Sequence, residues 1–251
     1  MKALVFAAGV GSRLKPFTDF HPKALAPVAG VPMLQRVLER LRAVGIRNVV
    51  VNVHHFSNQI REFLSANEYF GMNIKISDES SCLLDTGGGL LKAKDLLCDG
   101  DDEPILLHNA DILTDASIAE MLAEHNRVQA DATLLTSVRK TSRLLYFDTT
   151  SGLLRGWCNL NTGVSEPTAF NPNEPSVEGL AFGGVHIVQP SIFSHLDEYA
   201  VKHGNVFSIT PFYLSVLDRM RIANYTPEKI YKWFDIGTTE KLAVAERSFV
   251  E

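Results

Sequence analysis

Ala3-Leu4-Val5-Phe6-Ala7-Ala8-Gly9-Val10-Gly11-Ser12-Arg13-Leu14 is the stretch from which the rest of the chain is read. Its first four residues are apolar and read as a buried first strand. The small residues from Ala7 to Gly11 let the backbone come close to a ligand, because no side chain stands in the way. Successive exposed N–H groups in such a loop form a concave anion site. Arg13 adds a forked guanidinium suited to phosphate oxygens, and Lys23, in Pro22-Lys23, adds a compact positive charge. The ligand these features imply is a nucleoside triphosphate. Better-known phosphate loops do not fit. A dinucleotide fingerprint needs glycine where this chain has Leu14, and a Walker loop needs Gly-Lys-Ser/Thr, which is missing.

Working outward, strand-like and helix-like segments alternate. Residues 49–53, 73–77, 104–108 and 132–138 read as strands. Leu34, Val37, Leu38, Leu41 and Val44 recur at helical spacing, with Pro32 suited to the first helical position and Gly45 to the end. Ser57 is expected to cap a helix carrying Ile60, Phe63 and Leu64. Further helices are expected over 90–97, after a glycine-rich turn, and over 116–126. Continuous apolar strands separated by amphipathic helices mean an α/β fold with a mostly parallel sheet covered on both faces. Function then belongs at the carboxyl ends of the strands. From Leu144 the rhythm changes: 144–149 and 153–158 flank Thr150-Ser151-Gly152 and read as a hairpin. Residues 159–175 are polar and aperiodic, and read as a loop over the site. A strand at 180–188, a helix at 209–217 and short strands at 222–225 and 230–234 follow, with Thr238 capping a final helix to 247. No linker or repeat divides the chain, so 1–251 reads as a single domain. No hexapeptide repeat follows Asp235, so no left-handed β-helix domain is expected.

Composition narrows the class of partner. The chain has 251 residues, is 45% hydrophobic and 21% charged, and carries a net charge of −5. That balance argues against a nucleic-acid surface, which needs a basic patch. An acidic protein that binds a polyanion must also concentrate positive charge locally. Cys82, Cys98 and Cys158 are scattered without metal-ligand spacing and read as reduced thiols. No apolar run approaches membrane-spanning length and no signal segment precedes the first strand, so a cytoplasmic compartment is expected.

The joint pattern Ala-Ala-Gly-x-Gly-Ser-Arg-Leu, Pro16, Pro22-Lys23-Ala24-Leu25-Ala26-Pro27 and Gly30-x-Pro32 is far more restrictive than a glycine loop alone. It resembles the sugar-1-phosphate nucleotidyltransferases, with Phe6 in place of the usual leucine. The resemblance covers essentially the whole chain. It implies a three-layer, Rossmann-like, GT-A-like domain that joins a nucleoside triphosphate to a sugar 1-phosphate and releases pyrophosphate. It places Ala7, Ala8, Gly9, Gly11 and Ser12 against the nucleotide, Arg13 on the triphosphate, and Lys23 between the α-phosphate and the attacking sugar phosphate.

His108-Asn109-Ala110-Asp111 ends a buried strand, where a carboxylate points at the ligand crevice. The resemblance makes Asp111 a Mg²⁺ ligand and brings Asn109 to the substrate. Trp233-Phe234-Asp235-Ile236-Gly237-Thr238 is similar to the family's W-x-D-x-G-T segment, where Asp235 completes the metal site. Mg²⁺ suits such a pair, since it takes hard oxygen ligands and few protein carboxylates. In Leu83-Leu84-Asp85-Thr86-Gly87-Gly88-Gly89 the glycines allow a flat base to lie on backbone, and the family's base-reading turn assigns Thr86, Gly87 and Gly88 to the nucleotide.

This segment, with Val51-Asn52-Val53-His54-His55 and Gln59-Ile60, resembles the N-acetylmuramate-1-phosphate uridylyltransferases, so UTP and a cell-wall recycling route are favoured. Mannose-1-phosphate guanylyltransferases share much of the pattern and keep GTP open. The pattern also leaves room for a phosphocholine-type cytidylyltransferase using CTP, and for a non-catalytic sugar-nucleotide-binding subunit. His54 and His55 read as polar residues ending a strand. The chain departs from the family at a second sugar-phosphate lysine, which is missing. Arg155 is the nearest cation there, and Glu178 is placed to accept sugar hydroxyls. A monomer or small homo-oligomer is expected.

Overall fold

Lys2–Phe6 (β1) lies at the centre of the main sheet in the computed structural model, which describes residues 1–98, 100 and 102–249. After the glycine loop, Pro27–Val28 (β2) and Val31–Pro32 (β3) form a small ribbon that leads into Met33–Ala43 (α1). Asn48–Val53 (β4), Ser57–Ala66 (α2) and Asn73–Asp78 (β5) follow. Asp85–Lys92 (α3) and Lys94–Leu97 (α4) precede Ile105–Asn109 (β6) and Ile112–Thr114 (β7). The order continues through Ile118–Arg127 (α5), Ala132–Ser137 (β8), Arg143–Asp148 (β9), Leu154–Asn159 (β10) and Val164–Glu166 (β11). Val177–Val188 (β12), Ile192–His203 (α6), Ile209–Ser215 (α7), Ile222–Tyr225 (β13), Trp233–Asp235 (β14) and Thr239–Phe249 (α8) complete it.

The sheet runs β11-β10-β9-β12-β6-β1-β4-β5, with β8 beside β12 and β13 beside β8. Its apolar first half is parallel: β1 pairs with β4 and β6, and β4 with β5. β12 runs antiparallel to β6, β8 and β9, which makes the whole sheet mixed. Alternation along the strands splits the core into two faces. Val5, Val49 and Val51 pack with Leu34, Leu38, Ile60 and Ile118, which come from α1, α2 and α5. Leu4, Val50 and Leu107 pack with Leu90, Leu97, Phe193 and Phe212 from α3, α4, α6 and α7. The result is the three-layer α/β architecture expected. A smaller cluster of Leu14, Val28, Met33, Leu113, Ile236 and Ala245 ties the glycine loop to β7, β14 and α8. Burying a large aliphatic side chain such as Ile236 is worth about 1.5–3 kcal/mol, so this cluster holds the C-terminal segment against the N-terminal loop.

Three elements differ from expectation. α2 begins at Ser57 itself, and the residue before it, Phe56, takes the left-handed conformation at φ 53. The single helix expected at 90–97 is two: α3 starts at Asp85, so the glycines lie inside it, and α4 covers Lys94–Leu97. The 159–175 loop carries β11, which extends the sheet edge against β10. α6 is an additional helix, and Ile192, Phe193 and Leu196 are buried along it at helical spacing. Among the described residues, no helix is long and apolar enough to cross a membrane.

Three histidines are built into the core. His186 shares a 2.6 Å hydrogen bond with the Tyr213 hydroxyl, and His125 a 2.9 Å bond with Thr133 Oγ1. Burial, helped by the neighbouring Arg40 charge, pushes His108 down to about 3. Burial also lowers His186 to about 3 and His125 to about 4. Each therefore stays neutral in the folded chain at pH values where the unfolded chain has already bound a proton. Stability falls as pH drops below ~6.5, by up to about 1.4 kcal/mol per pH unit for each histidine. The urea midpoint is expected to drop between pH 7 and pH 5, above the range where ordinary carboxylates titrate, and His125→Gln should flatten that drop. A midpoint that holds constant over this interval would show that the histidines are not buried in neutral form.

Candidate active site

The carboxyl ends of β1, β4, β5 and β6 open onto a cavity of about 490 Å³. Ala7, Ala8 and Gly9 line it from the loop after β1, with Lys23 beside them and Asn109, Ala110 and Asp111 from the end of β6. Gly11 has φ +68, and a Cβ there would sit 2.8 Å from Lys23 Cβ. Only glycine lets the loop turn this tightly over the lysine stem. Thr18 Oγ1 donates to Gly11 O at 2.9 Å and fixes the far side of the turn. The N–H groups of Ala7 and Ala8 face inward, donating to Asn52 Oδ1 at 2.6 and 3.3 Å. The backbone turned to the outside begins with the exposed residues Gly9 and Val10.

Asp111 and Asp235 meet through backbone pairing. β14 runs antiparallel to β7 with Asp235 opposite Ile112, and Ile236 N donates to Asp111 O at 3.0 Å. Lys23 Nζ donates to Asp111 Oδ2, and Lys241 Nζ to Asp235 Oδ2. Gly237 N adds a 2.8 Å bond to Asp235 Oδ1. Burial alone would raise the Asp235 carboxyl. Lys241, the Gly237 N–H and the Lys23 charge outweigh it and hold the group below its ordinary value. A side-chain atom on Gly237 would meet Asp235 Oδ1 at 2.7 Å and Arg13 Nη2 at 3.1 Å, so Arg13 lies over this same turn. Both aspartates already attract cationic groups, and both offer hard oxygens. Among the described residues no cluster of three or more His, Cys, Asp or Glu forms a complete cage. Two carboxylates open to a ligand suit Mg²⁺, which completes its shell with substrate phosphates and water.

The opposite wall is made where α3 docks on the segment before α7. Gly87 N and Gly88 N donate to Phe207 O at 2.9 and 3.1 Å, and Thr86 Oγ1 accepts from Ile209 N at 3.0 Å. A Cβ on Gly88 would fall 2.0 Å from Asn205 O, and one on Gly87 2.4 Å from the Phe207 ring. These glycines serve close packing of chain on chain. Thr86, Asp85, Leu83 and Val206 face the cavity instead.

The nucleotidyl transferase family model matches residues 2–149, more than half of the sequence. The chain belongs to this family. Full-length similarity runs to two N-acetylmuramate alpha-1-phosphate uridylyltransferases. The one from Caulobacter vibrioides is 29% identical over 255 residues, covering 99% of this chain and 97% of the relative. The one from Neisseria meningitidis is 29% identical over 252 residues, covering 98% and 97%. A probable mannose-1-phosphate guanylyltransferase of Oryza sativa is 29% identical over 201 residues, 78% of this chain and 52% of the relative. Among solved structures, a putative glucose-1-phosphate thymidylyltransferase from Bacillus anthracis shares the fold with a TM-score of 0.80 at 21% identity, covering 99% of this chain and 94% of that one.

Within this nucleotidyltransferase, the residues expected at the site divide into groups. Ala7, Ala8, Gly9, Lys23, Thr86, Asn109 and Asp111 line the cavity; Asp235, on β14, lines a separate recess with Lys241, and Arg13 lies over the Gly237 turn. Gly11 shapes the loop, and Ser12 is exposed on the short turn beyond it. Gly87 and Gly88 lie behind the wall. Arg155 is exposed on β10, where its charge acts on Asp148, and Glu178 is exposed on β12 opposite Phe147. Neither lines the cavity, nor does any residue of 159–175.

Asn52, Glu79, Val206 and Lys241 join the site without having been expected there. Asn52 carries a signal: a polar residue near the end of the apolar run Val49-Val50-Val51-Asn52-Val53 faces the crevice of a parallel sheet. Val206 and Lys241 carry none, since only the tertiary fold brings them in. Gly88→Ala is expected to lower stability by about 1–3 kcal/mol, because backbone at 205 must move. Urea unfolding checks this, and an unchanged midpoint would mean that α3 does not dock as described.

Proposed function

We propose that this nucleotidyltransferase is a Mg²⁺-dependent enzyme that joins UTP to N-acetylmuramate 1-phosphate and releases pyrophosphate. The observation that carries the chemistry is the meeting of Asp111 and Asp235 with Lys23 and Arg13 beside the glycine loop. A sugar phosphate oxygen attacking the α-phosphorus brings two polyanions together. Unit charges of like sign ~4 Å apart repel by roughly 4 kcal/mol per pair at an effective dielectric of ~20. Arg13 and Lys23 supply fixed positive charge where that repulsion builds up. Asp111 and Asp235 would hold the metal, which when bound neutralises phosphate charge as a Lewis acid. The turn at Gly11 and the β7–β14 ladder position these groups before substrate arrives, so catalysis rests on orientation and electrostatics with no covalent nucleophile.

The head-to-tail match to the two uridylyltransferases favours UTP and N-acetylmuramate 1-phosphate. Mannose-1-phosphate guanylyltransferases are the second reading, because several match at 28–30% identity, each over about half of its own length. Pyrophosphate release with the four nucleoside triphosphates against a set of sugar 1-phosphates separates them. UTP with N-acetylmuramate 1-phosphate should turn over fastest, and preference for GTP with mannose 1-phosphate would replace the first reading with the second. Asp111→Ala and Asp235→Ala should each lower turnover by roughly a thousandfold or more with the unfolding midpoint nearly unchanged. Retained turnover in either variant would remove the metal role.

A further inference from the structure

Glu79, the first residue after β5, has no exposed surface, and its partners are amide groups. Its Oε1 accepts from Asn52 Nδ2 at 2.8 Å and its Oε2 from Leu84 N at 3.1 Å. Its own backbone is fixed as well: Glu79 N donates to Val53 O at 2.7 Å, and His54 Nδ1 donates to Glu79 O at 2.7 Å. Asn52, itself 2% exposed, passes the constraint on by accepting from the N–H groups of Ala7 and Ala8. Glu79 borders the cavity, but both carboxylate oxygens are engaged by these amides, so its influence passes through these neighbours.

We propose that Glu79 is a positioning residue that sets the polarity of the Asn52 amide and thereby the conformation of the nucleotide-binding loop. A carboxylate only accepts, so it forces the Asn52 NH₂ toward itself and leaves the Asn52 oxygen for Ala7 and Ala8. The same carboxylate anchors Leu84 at the start of α3, where Asp85 and Thr86 line the cavity. One buried group thus joins the phosphate side of the cavity to its opposite wall. This inference rests on the reading that the cavity takes the nucleotide.

The direction of each bond gives the test. In E79Q the new side chain has one acceptor and one NH₂. With its oxygen on Leu84 N–H, its NH₂ meets Asn52, whose amide must flip and set donor against donor at Ala7 and Ala8. N52D alone faces two carboxylates across the 2.8 Å contact. In the double variant N52D/E79Q every donor again meets an acceptor: the new NH₂ donates to the new carboxylate, which still accepts from Ala7 and Ala8.

Leaving a buried polar group unmatched is costly, so each single variant should raise the nucleotide KM about fivefold or more. KM for the sugar phosphate should stay within about twofold, and the double variant should return the nucleotide KM to within about threefold of wild type. Amide exchange at Ala7 and Ala8, followed by NMR without nucleotide, should quicken in the single variants and recover in the double. Where a single variant fails to fold, recovery of folding in the double reads the same coupling. An E79Q enzyme with unchanged nucleotide KM and exchange, equal rises in both KM values, or a double variant no better than the worse single one, would overturn the proposal. A wild-type protein that turns over no nucleotide would instead sink the proposed function, and the exchange measurement would still decide on the network.

Discussion

The active end of this protein rests on the pairing of β14 with β7, which brings the backbone at Asp235 beside that at Asp111. Their approach is fixed by backbone, through the β7–β14 ladder and the bond from Ile236 N to Asp111 O. Behind the ladder, Leu14, Leu113, Ile236 and Ala245 bury apolar surface against one another, so separating the strands would expose them to water. In front, Lys23 and Lys241 each neutralise one carboxylate. The cluster and the cations act on opposite sides of the same ladder. Because Leu14 belongs to the glycine loop, the packing that holds the acids together also holds that loop, with Arg13, above them.

The parallel half of the sheet contributes in a different way. The apolar runs at 49–51 in β4 and 105–107 in β6 give way to polar residues near the strand ends, at Asn52 and at His108 and Asn109. A polar residue at the end of a buried strand needs a partner, since an unmatched amide costs more than its bond returns. Asn52 finds its partners in the loop backbone and in Glu79. The loop is therefore restrained from below by the sheet and from the side by Lys23 and Thr18, which leaves little freedom in the region that would meet a triphosphate.

Much of this is legible in the sequence wherever a local pattern has one physical solution. The apolar runs of β1 and β4, the helical spacing of Leu34, Val37, Leu38 and Leu41, and the hairpin around Gly152 all follow from local pattern and turn chemistry. The convergence of Asp111 and Asp235 comes from resemblance, because no local pattern connects residues so far apart. The glycines at 87–89 show the opposite failure. Read locally, three glycines mean an open turn. In the fold Gly87 and Gly88 are the positions where α3 must lie against residues 205–207, Gly89 lies against Glu79 and Asn52, and helix formation there is decided by packing rather than propensity. Arg155 and Glu178 carry charge near a gap in the motif pattern, but β10 and the start of β12 take them onto the antiparallel wing, away from the cavity.

The cavity is chemically uneven, and that unevenness constrains what it can hold. Its lining combines Lys23, Asp111 and the glycine loop with the apolar side chains of Phe6, Ala24, Leu83 and Val206. At physiological ionic strength exposed charges more than about 8 Å apart are largely screened, so charge at an open mouth acts on a polyanion mainly at short range. Apolar contact is not screened by salt and scales with area, at about 25 cal/mol per Å². A flat ring joined to a chain of phosphates has the same division. On the proposed function, charge would draw in the phosphates and the wall that α3 forms with Val206 would set the position of the ring. The packing of α3 through Gly87 and Gly88 is then a requirement of ligand orientation as well as of stability, because a helix displaced by one side chain would carry Leu83 and Thr86 with it.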